Sequence, residues 1–231
     1  MTIITTIKDA LDTVLNHKQM GKMSVDEYNS ILPVVISNIQ NSLFDSFRKL
    51  NAKKMAFQQT PNYGDETLYL KQAIEYYISE KEITDLDNTV QLYKECPDLL
   101  LLNSVFTPKA QCEKTDLLVF NQLNRIDSTK PTDCSPIFTL NSGILKVSPK
   151  QDTLTINYYR KAKTPRLTSK IVLGKEIYDT DVQDFQDIDI HHIMAQAVFI
   201  ELLTYYGIHL QEPIAIQTAN QLKQEELIKQ Q

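Results

Sequence analysis

The segment Thr153-Leu-Thr-Ile-Asn-Tyr-Tyr159 has the clearest strand pattern in the sequence. Polar and apolar side chains alternate along it. It is also rich in the β-branched and aromatic side chains that fit the half-buried surface of a sheet. Leu99–Phe106 is an apolar run between prolines and is typical of a buried strand. Residues 137–140 and 144–147 predict a hairpin, because Gly143 can adopt a positive φ in the turn between them. The middle of the chain is therefore predicted to be rich in short antiparallel strands.

The N-terminal part has the periodicity of helices instead. A first apolar stripe, with spacings of three or four residues, consists of Ile3, Ile7, Leu11 and Val14. Ser24 and Glu27 have the spacing of a capping box, in which each side chain accepts a hydrogen bond from the other residue's backbone amide. This box predicts the start of a second, long amphipathic helix that contains Pro33. A third helix is predicted from Asp65 to about Ser79.

The C-terminal part is again helical by its pattern. Asp189 is predicted to cap a helix with apolar residues on one face, and a last polar helix is predicted after Pro213. The order of helices, strands and helices predicts an α+β fold with an N-terminal helical bundle, a central β-rich region and C-terminal helices. We expect three regions: residues 1–80, residues 81–190, and residues 191–231 packing on the rest.

Composition and charge exclude several classes of protein. The net charge of −5 does not favour general nucleic-acid binding, which usually leaves a basic surplus. Apolar runs all stay well short of the roughly 18 residues of a membrane span. The N-terminal residues lack the basic and apolar regions of a secretory signal. We therefore expect no membrane association and synthesis in a cytoplasm.

The residue types that carry catalysis do not occur in the required patterns. The five glycines are scattered, so the sequence has neither a Rossmann fingerprint nor a phosphate-binding loop. Cysteines number three and form no CxxC pair. His191 and His192 are adjacent, which is not a metal-ligand spacing on a helix, and no serine lies in a GxSxG motif. The sequence thus predicts a protein without catalytic residues, cofactor or metal.

The sign of the charge changes abruptly between Lys175 and Glu176. Residues 146–175 contain eight basic residues and one acid, Asp152, whereas residues 176–189 contain six acids and no basic residue. One interpretation is a polarised surface whose basic part contacts the acidic part of the next subunit, since head-to-tail contacts of this kind close into rings. The candidate subunit-interface residues are Arg160, Lys161, Lys163, Arg166, Lys170, Lys175, Glu176, Asp179, Asp181 and Asp184. The alternative is a nucleic-acid-associated module that uses the basic stretch 160–175 to contact phosphates.

The segment Met23-Ser-Val-Asp-Glu-Tyr-Asn29 leads into a helix through Ile39–Phe44. It resembles a segment in structural proteins of crAss-like, short-tailed bacteriophages. A second similar segment is Leu154-Thr-Ile-Asn-Tyr-Tyr-Arg-Lys-Ala-Lys-Thr-Pro165, although Ala162 stands where that family often has proline and no tryptophan follows Pro165. Further similar segments, which extend the resemblance over nearly the whole chain, are Cys96–Val105, Pro136–Phe138, Ile144–Pro149 and a turn at Tyr206-Gly207-Ile208.

The resemblance implies a virion structural protein of the head–tail connector, ring or tail-hub type. Such a subunit would form a homo-oligomeric ring beneath the portal, at the head–tail junction or in the tail. Its partners would be the portal and other tail or ring proteins, and DNA would pass through the ring lumen. The family provides no catalytic, cofactor-binding or metal-binding residues to carry over to this chain.

Overall fold

The computed structural model describes residues 2–17, 21–56, 64–84, 89–173 and 175–209. These residues form an α+β fold, as predicted, with two compact units. The helical unit consists of Met1–Tyr76 together with Ala162–Gln231, and the sheet unit consists of Tyr77–Lys161. The predicted middle region is therefore divided, because residues 81–161 belong to the sheet unit and residues 162–190 belong to the helical unit.

Helices and one hairpin make up the described part of the helical unit. The helices are α1 (Ile3–His17), α2 (Val25–Ala56), α3 (Gly64–Glu75) and α6 (Ala195–His209), the last preceded by a 3-10 turn at His192–Met194. The strands β8 (Ser169–Val172) and β9 (Lys175–Tyr178) pair antiparallel with each other.

The predicted capping box at the start of α2 is confirmed. The Ser24 backbone amide donates to Glu27 Oε2 at 3.1 Å, and the Glu27 amide donates to Ser24 Oγ at 3.2 Å. These two bonds satisfy donors that the first turn of a helix leaves without intrahelical acceptors. Pro33 lies inside α2, which continues past it.

One apolar core holds the helical unit together. The stripe predicted for α1 is confirmed at Ile7 and Leu11, which are buried, and Ile36 of α2 and Leu202 of α6 belong to the same cluster. Helical periodicity brings these side chains to one face of each helix, and burial of that face stabilises the bundle.

In the described part of the sheet unit, two small sheets combine with two α-helices and a 3-10 turn at Asp127–Thr129. The elements are β1 (Ile78–Thr84), β2 (Thr89–Gln91), α4 (Leu92–Glu95), β3 (Leu99–Phe106), β4 (Glu113–Lys114), α5 (Leu117–Arg125), β5 (Ile137–Asn141), β6 (Ile144–Ser148) and β7 (Thr153–Arg160). The strand orders are β1-β7-β3 and β2-β6-β5-β4. All pairs within them are antiparallel except β4 with β5, which is parallel and differs from the prediction.

The strands predicted at 99–106 and 153–159 and the hairpin after residue 137 are confirmed. β7 is the central strand of its sheet, and alternate side chains such as Leu154 and Ile156 are buried in the core of the unit. In the hairpin, Gly143 has a φ of +77°, as its predicted role requires. The backbone amide of Leu92, the residue directly after β2, donates a hydrogen bond of 2.9 Å to the Gly143 carbonyl.

Four local predictions are wrong or fall outside the described residues. The third helix ends at Glu75, and β1 begins at Ile78 because this segment pairs with β7, a long-range contact that overrides local periodicity. Asp189 does not cap the last helix, because its carboxylate is occupied by other donors described below. Residues 206–208 are helical rather than a turn, since α6 continues to His209. The polar helix predicted after Pro213 lies outside the described residues.

In the sequence, the sheet unit lies between the two segments of the helical unit. Its first strand, β1, and its last strand, β7, are neighbours in one sheet. Ile78 of β1 is paired with Tyr159 of β7, and the Arg160 amide donates to the Tyr77 carbonyl at 2.9 Å. The two ends of the sheet unit therefore lie side by side.

Candidate functional site

The candidate interface residues are divided between the two units. Arg160 and Lys161 belong to the sheet unit, and the other eight, from Lys163 to Asp184, belong to the helical unit. The Arg160 guanidinium lies over the Tyr77 ring, with its Cζ 5.7 Å from the ring centroid. The exposed Lys161 donates its backbone amide to the Asp98 carbonyl at 2.7 Å. Both residues are thus anchored locally within the sheet unit.

The β8–β9 hairpin brings the basic and acidic stretches together in one chain. Lys170 Nζ lies 3.0 Å from Asp179 Oδ2, and Arg166 Nη1 lies 3.9 Å from Asp184 Oδ2. Glu176 accepts a 2.7 Å hydrogen bond from Ser169 Oγ on the neighbouring strand. The change of sign between residues 175 and 176 therefore coincides with a reversal of the chain direction.

Backbone hydrogen bonds extend this pairing beyond the two strands. The Arg166 amide donates to the Gln186 carbonyl at 2.8 Å, and the Gln186 amide donates back at 3.0 Å. Between this pair and the hairpin, the Asp179 amide donates to the Thr168 carbonyl at 2.9 Å, and the Thr168 hydroxyl donates to the Asp179 carbonyl. We name residues 166–173 and 175–186 the arm.

Two ion pairs of the arm join four of these charges within one chain, without a second subunit. The Lys170 ammonium donates a hydrogen bond to Asp179 and lowers the pKa of that carboxyl below its ordinary value of 3.8. Both groups of the longer Arg166–Asp184 pair are well exposed, and exposed ion pairs stabilise a fold by only about 0.2–1 kcal/mol. A phosphate at these basic side chains would meet carboxylates beside them, which disfavours the nucleic-acid interpretation.

The remaining candidate residues have lesser roles. Asp181 is exposed, and its backbone amide contacts Asp179 Oδ1 at 3.4 Å. Lys163 is exposed and uses its amide rather than its ammonium, donating at 2.9 Å to Asp189 Oδ2. Lys175 begins β9, and its side chain lies outside the described residues.

Two acids of the acidic run hold the helical unit together. Asp187 accepts hydrogen bonds from the backbone amides of Ile3 and Ile4, at 3.1 and 2.8 Å. Asp189 is buried and accepts from the Tyr76 hydroxyl as well as from Lys163, both at 2.9 Å. These two acids of the run are therefore structural, because their carboxylates are used by hydrogen bonds within the helical unit.

The end of the arm that lies at the connection between β8 and β9 carries apolar side chains that the sequence analysis did not single out. Ile171 is 80% exposed and Leu173 is 99% exposed, and Val172 and Ile177 are exposed as well. Large apolar groups that stay in water over several adjacent positions mark interaction sites rather than ordinary surface. The available signal was the run Ile171-Val172-Leu173 between Lys170 and Gly174, which has no charged residue of its own.

Leu173 is also in an unfavourable backbone conformation. Its φ is +52°, in the left-handed region that glycine and asparagine tolerate and that costs other residues about 1 kcal/mol or more. A leucine at this position is disfavoured both by its backbone and by its exposure. Positions that break local rules in this way are found at functional sites.

A groove of about 680 Å³ lies elsewhere in the helical unit, between α2, α3 and α6. Its lining combines apolar side chains such as Leu43 and Ile200 with polar or charged ones such as Asn41 and Glu201. The Tyr69 hydroxyl donates to the Ile193 carbonyl at 3.2 Å and fixes one wall of the groove.

The histidines and cysteines of the described residues are the candidates for a metal site or for reactive groups. No three histidine, cysteine or carboxylate side chains in this part of the chain lie close enough together to hold a metal ion. The rings of His191 and His192 lie 4.3 Å apart, and burial lowers the pKa of His191. Cys96 and Cys112 are buried free thiols, and burial raises the pKa of Cys112 to about 11.

None of the described helices is long and apolar enough to cross a bilayer. Neither models of known protein families nor curated protein sequences match this chain.

Proposed function

We propose that this protein is a non-catalytic structural subunit of a tailed-phage virion, a head–tail connector or ring component that assembles with copies of itself beneath the portal. Its other partners are the portal and further tail or ring proteins, and DNA passes through the lumen of the ring. The proposal places the protein at the head–tail junction or in the tail, after synthesis in the host cytoplasm.

The observation that carries this proposal is the apolar end of the arm. Full exposure instead of burial of a leucine or isoleucine side chain forgoes about 1.5–3 kcal/mol. Leu173 and Ile171 are almost fully exposed at the end of a two-stranded hairpin, a structure that is marginal when isolated in water. A protein that assembles recovers this free energy when a partner covers the arm.

The resemblance to structural proteins of crAss-like phages supports the same proposal independently of the arm. The similar segments include the confirmed capping box at Ser24 and Glu27 and the central strand that ends at Arg160. They lie in elements that define the fold and not in a catalytic motif.

Electron microscopy of the purified protein, alone and mixed with virion components, tests the proposal. We expect closed rings, or incorporation of the protein at the neck or tail of the particle. A monodisperse monomer that joins no particle would contradict the proposal. Strong retention on duplex DNA that falls steeply with salt, together with failure to assemble, would favour the nucleic-acid alternative.

A further inference from the structure

We infer that the sheet unit binds an extended segment of a partner polypeptide, which enters a cleft between β3 and β4 and pairs there as an added strand. The segment carries no net charge and has an apolar side chain at alternate positions. This binding site lies wholly within the sheet unit, so it depends neither on the arm nor on the proposed ring.

The strand β3 and the segment that leads into β4 form a hairpin and then separate. The hairpin is closed near its turn, where the Thr107 amide donates to the Ala110 carbonyl and the Cys112 amide donates to the Val105 carbonyl, both at 2.8 Å. Beyond this point β4 pairs with β5, and β3 pairs with β7 in the other sheet. A cleft of about 440 Å³, lined by residues of both strands, lies where they have separated. Binding sites commonly span about 300–1,000 Å³.

A bulge in β3 lies at the opening. The pairing of β3 with β7 shifts by one residue between Leu102 and Ser104, so Asn103 is an extra residue in the strand. Bulges bend a strand and interrupt its pairing, and they are frequent beside functional sites. Asn103 is exposed and lines the cleft. The opening therefore coincides with an irregularity that belongs to β3 itself.

The backbone of β4 directs a donor and an acceptor into the cleft. The amides of Glu113 and Thr115 donate toward β5, at 2.9 and 2.8 Å. Successive residues of a strand direct their backbone groups to opposite edges, so the amide and carbonyl of Lys114 point away from β5, on the side where the Cys112 amide meets β3. Lys114 also lines the cleft. Open edge groups of this kind are what an extended peptide pairs with when it adds a strand to a sheet.

The side chains around the cleft define the chemistry of the partner. Cys112 and Phe138 are buried in the core of the sheet unit, and Leu102 packs against that core. The other lining residues are polar or charged: Asn103, Ser104, Gln111, Glu113 and Lys114. Successive side chains of a strand point to opposite faces, so an alternating segment places its apolar residues against the core and its polar residues against the second group. The one acid and the one base of this lining cancel, which favours an uncharged segment and disfavours a nucleic acid.

The test uses a generic strand as its probe. The probe is a short peptide of alternating threonine and valine with a lysine at one end, a glutamate at the other and both termini blocked. The control peptide has the same side chains but is N-methylated at every inner residue, so it cannot donate main-chain hydrogen bonds. NMR chemical-shift mapping on the full chain locates the peptide, and hydrogen exchange measures the protection of the backbone amide at position 114.

Two variants and one matched control test the cleft itself. Lys114→Pro removes the amide that points into the cleft and leaves the Glu113 and Thr115 amides that pair with β5. Lys114→Ala is the control, because it removes the same side chain and keeps the amide. Asn103→Trp fills the cleft from β3 at an exposed position, and it decides the matter if circular dichroism shows that Lys114→Pro does not fold.

We expect the peptide to perturb the amides of β3 and β4 in the wild type and in Lys114→Ala, and to slow exchange of the amide at position 114 in both. Lys114→Pro and Asn103→Trp should each bind it at least about fivefold more weakly, since a buried main-chain acceptor without its donor costs at least this much. The N-methylated peptide should not bind.

Four results would overturn the inference. The peptide does not bind the wild type, or it perturbs β1 or β8, which are also edge strands, instead of β3 and β4. The N-methylated peptide binds equally well, which would make the cleft a site for side chains or small molecules rather than for a strand. Folded Lys114→Pro and Asn103→Trp bind as tightly as Lys114→Ala. Each of these results leaves the proposed ring subunit as it stands, since that proposal rests on the arm and on assembly.

Discussion

The Asp187 carboxylate accepts a 2.8 Å hydrogen bond from the backbone amide of Ile4 and so caps the first helix from 183 residues away in the sequence. The same carboxylate accepts from the Ile3 amide at 3.1 Å. The first amides of a helix lack intrahelical acceptors, and its N-terminus favours a negative charge. Asp187 supplies the acceptors and the negative charge. It thereby attaches the segment after the arm to the first helix.

Asp187→Ala should lower the free energy of unfolding by about 1–2 kcal/mol, because it removes the acceptor of two helix N-terminal amides. Urea denaturation followed by circular dichroism measures this change. Asp181→Ala is the control, since Asp181 is an exposed acid of the same run and its substitution should change the free energy by less than about 0.5 kcal/mol. Equal effects of the two substitutions would show that the Asp187 cap does not stabilise the fold.

Gly143→Ala should destabilise the sheet unit. The φ of Gly143 is +77°, and a Cβ atom there would lie 2.5 Å from Cε2 of the Tyr93 ring. Tyr93 is largely exposed and its ring can move, so the loss comes mainly from the backbone and should be about 1 kcal/mol. Gly143→Asn, which tolerates a positive φ better, should lose less, and thermal denaturation of the two variants checks the order.

The pKa of the Asp179 carboxyl should depend on Lys170. Hydrogen bonding to the Lys170 ammonium lowers this pKa, so the stabilisation of the arm is present above the ordinary value of 3.8 and is lost as the pH falls through the lowered value. NMR titration should show the pKa of Asp179 rising toward 3.8 in Lys170→Met. The pKa of Asp133, which is lowered by Lys109 in the sheet unit, should not change, and an unchanged Asp179 would show that the pair does not form in solution.

Leu173→Asn should separate stability from assembly. Asparagine tolerates the left-handed backbone of this position better than leucine, so the free energy of unfolding of the monomer should stay the same or rise by up to about 1 kcal/mol. Assembly measured by light scattering should weaken, because the apolar contact is lost. Leu118→Asn, at an exposed helix position, is the control for assembly, and a Leu173→Asn oligomer of wild-type size and affinity would contradict the role of the arm.

The elements that the sequence predicts well are those with local causes. Ser24 and Glu27 satisfy each other's amides within one turn, and Gly143 supplies the turn between two strands that follow each other. The strand at 153–159 has its β-branched pattern in its own seven residues. Each of these depends on interactions between residues close in the chain, which a sequence pattern records directly.

The sequence predictions fail where the structure of a residue depends on a partner that is distant in the sequence. Ile78 and Ser79 continue a helical pattern, yet they pair with Tyr159 and Tyr158 because the sheet offers them an edge. Asp189 has the sequence context of a helix cap, yet its carboxylate is held by Tyr76, 113 residues earlier. Local patterns could not reveal either partner, since both are brought close only by the folded chain.

The change of charge sign between Lys175 and Glu176 shows most clearly what the sequence determines and what the tertiary structure determines. The sequence by itself determined the α+β class, the helix cap, the main strands and the existence of two oppositely charged stretches. Only the tertiary structure decided that these stretches face each other within one chain, with Lys170 at Asp179 and Arg166 at Asp184, and that Ile171 and Leu173 stay exposed at the end. The physical reason is that a sequence fixes which charges and apolar groups exist, whereas a chain reversal and long-range packing determine which of them find partners.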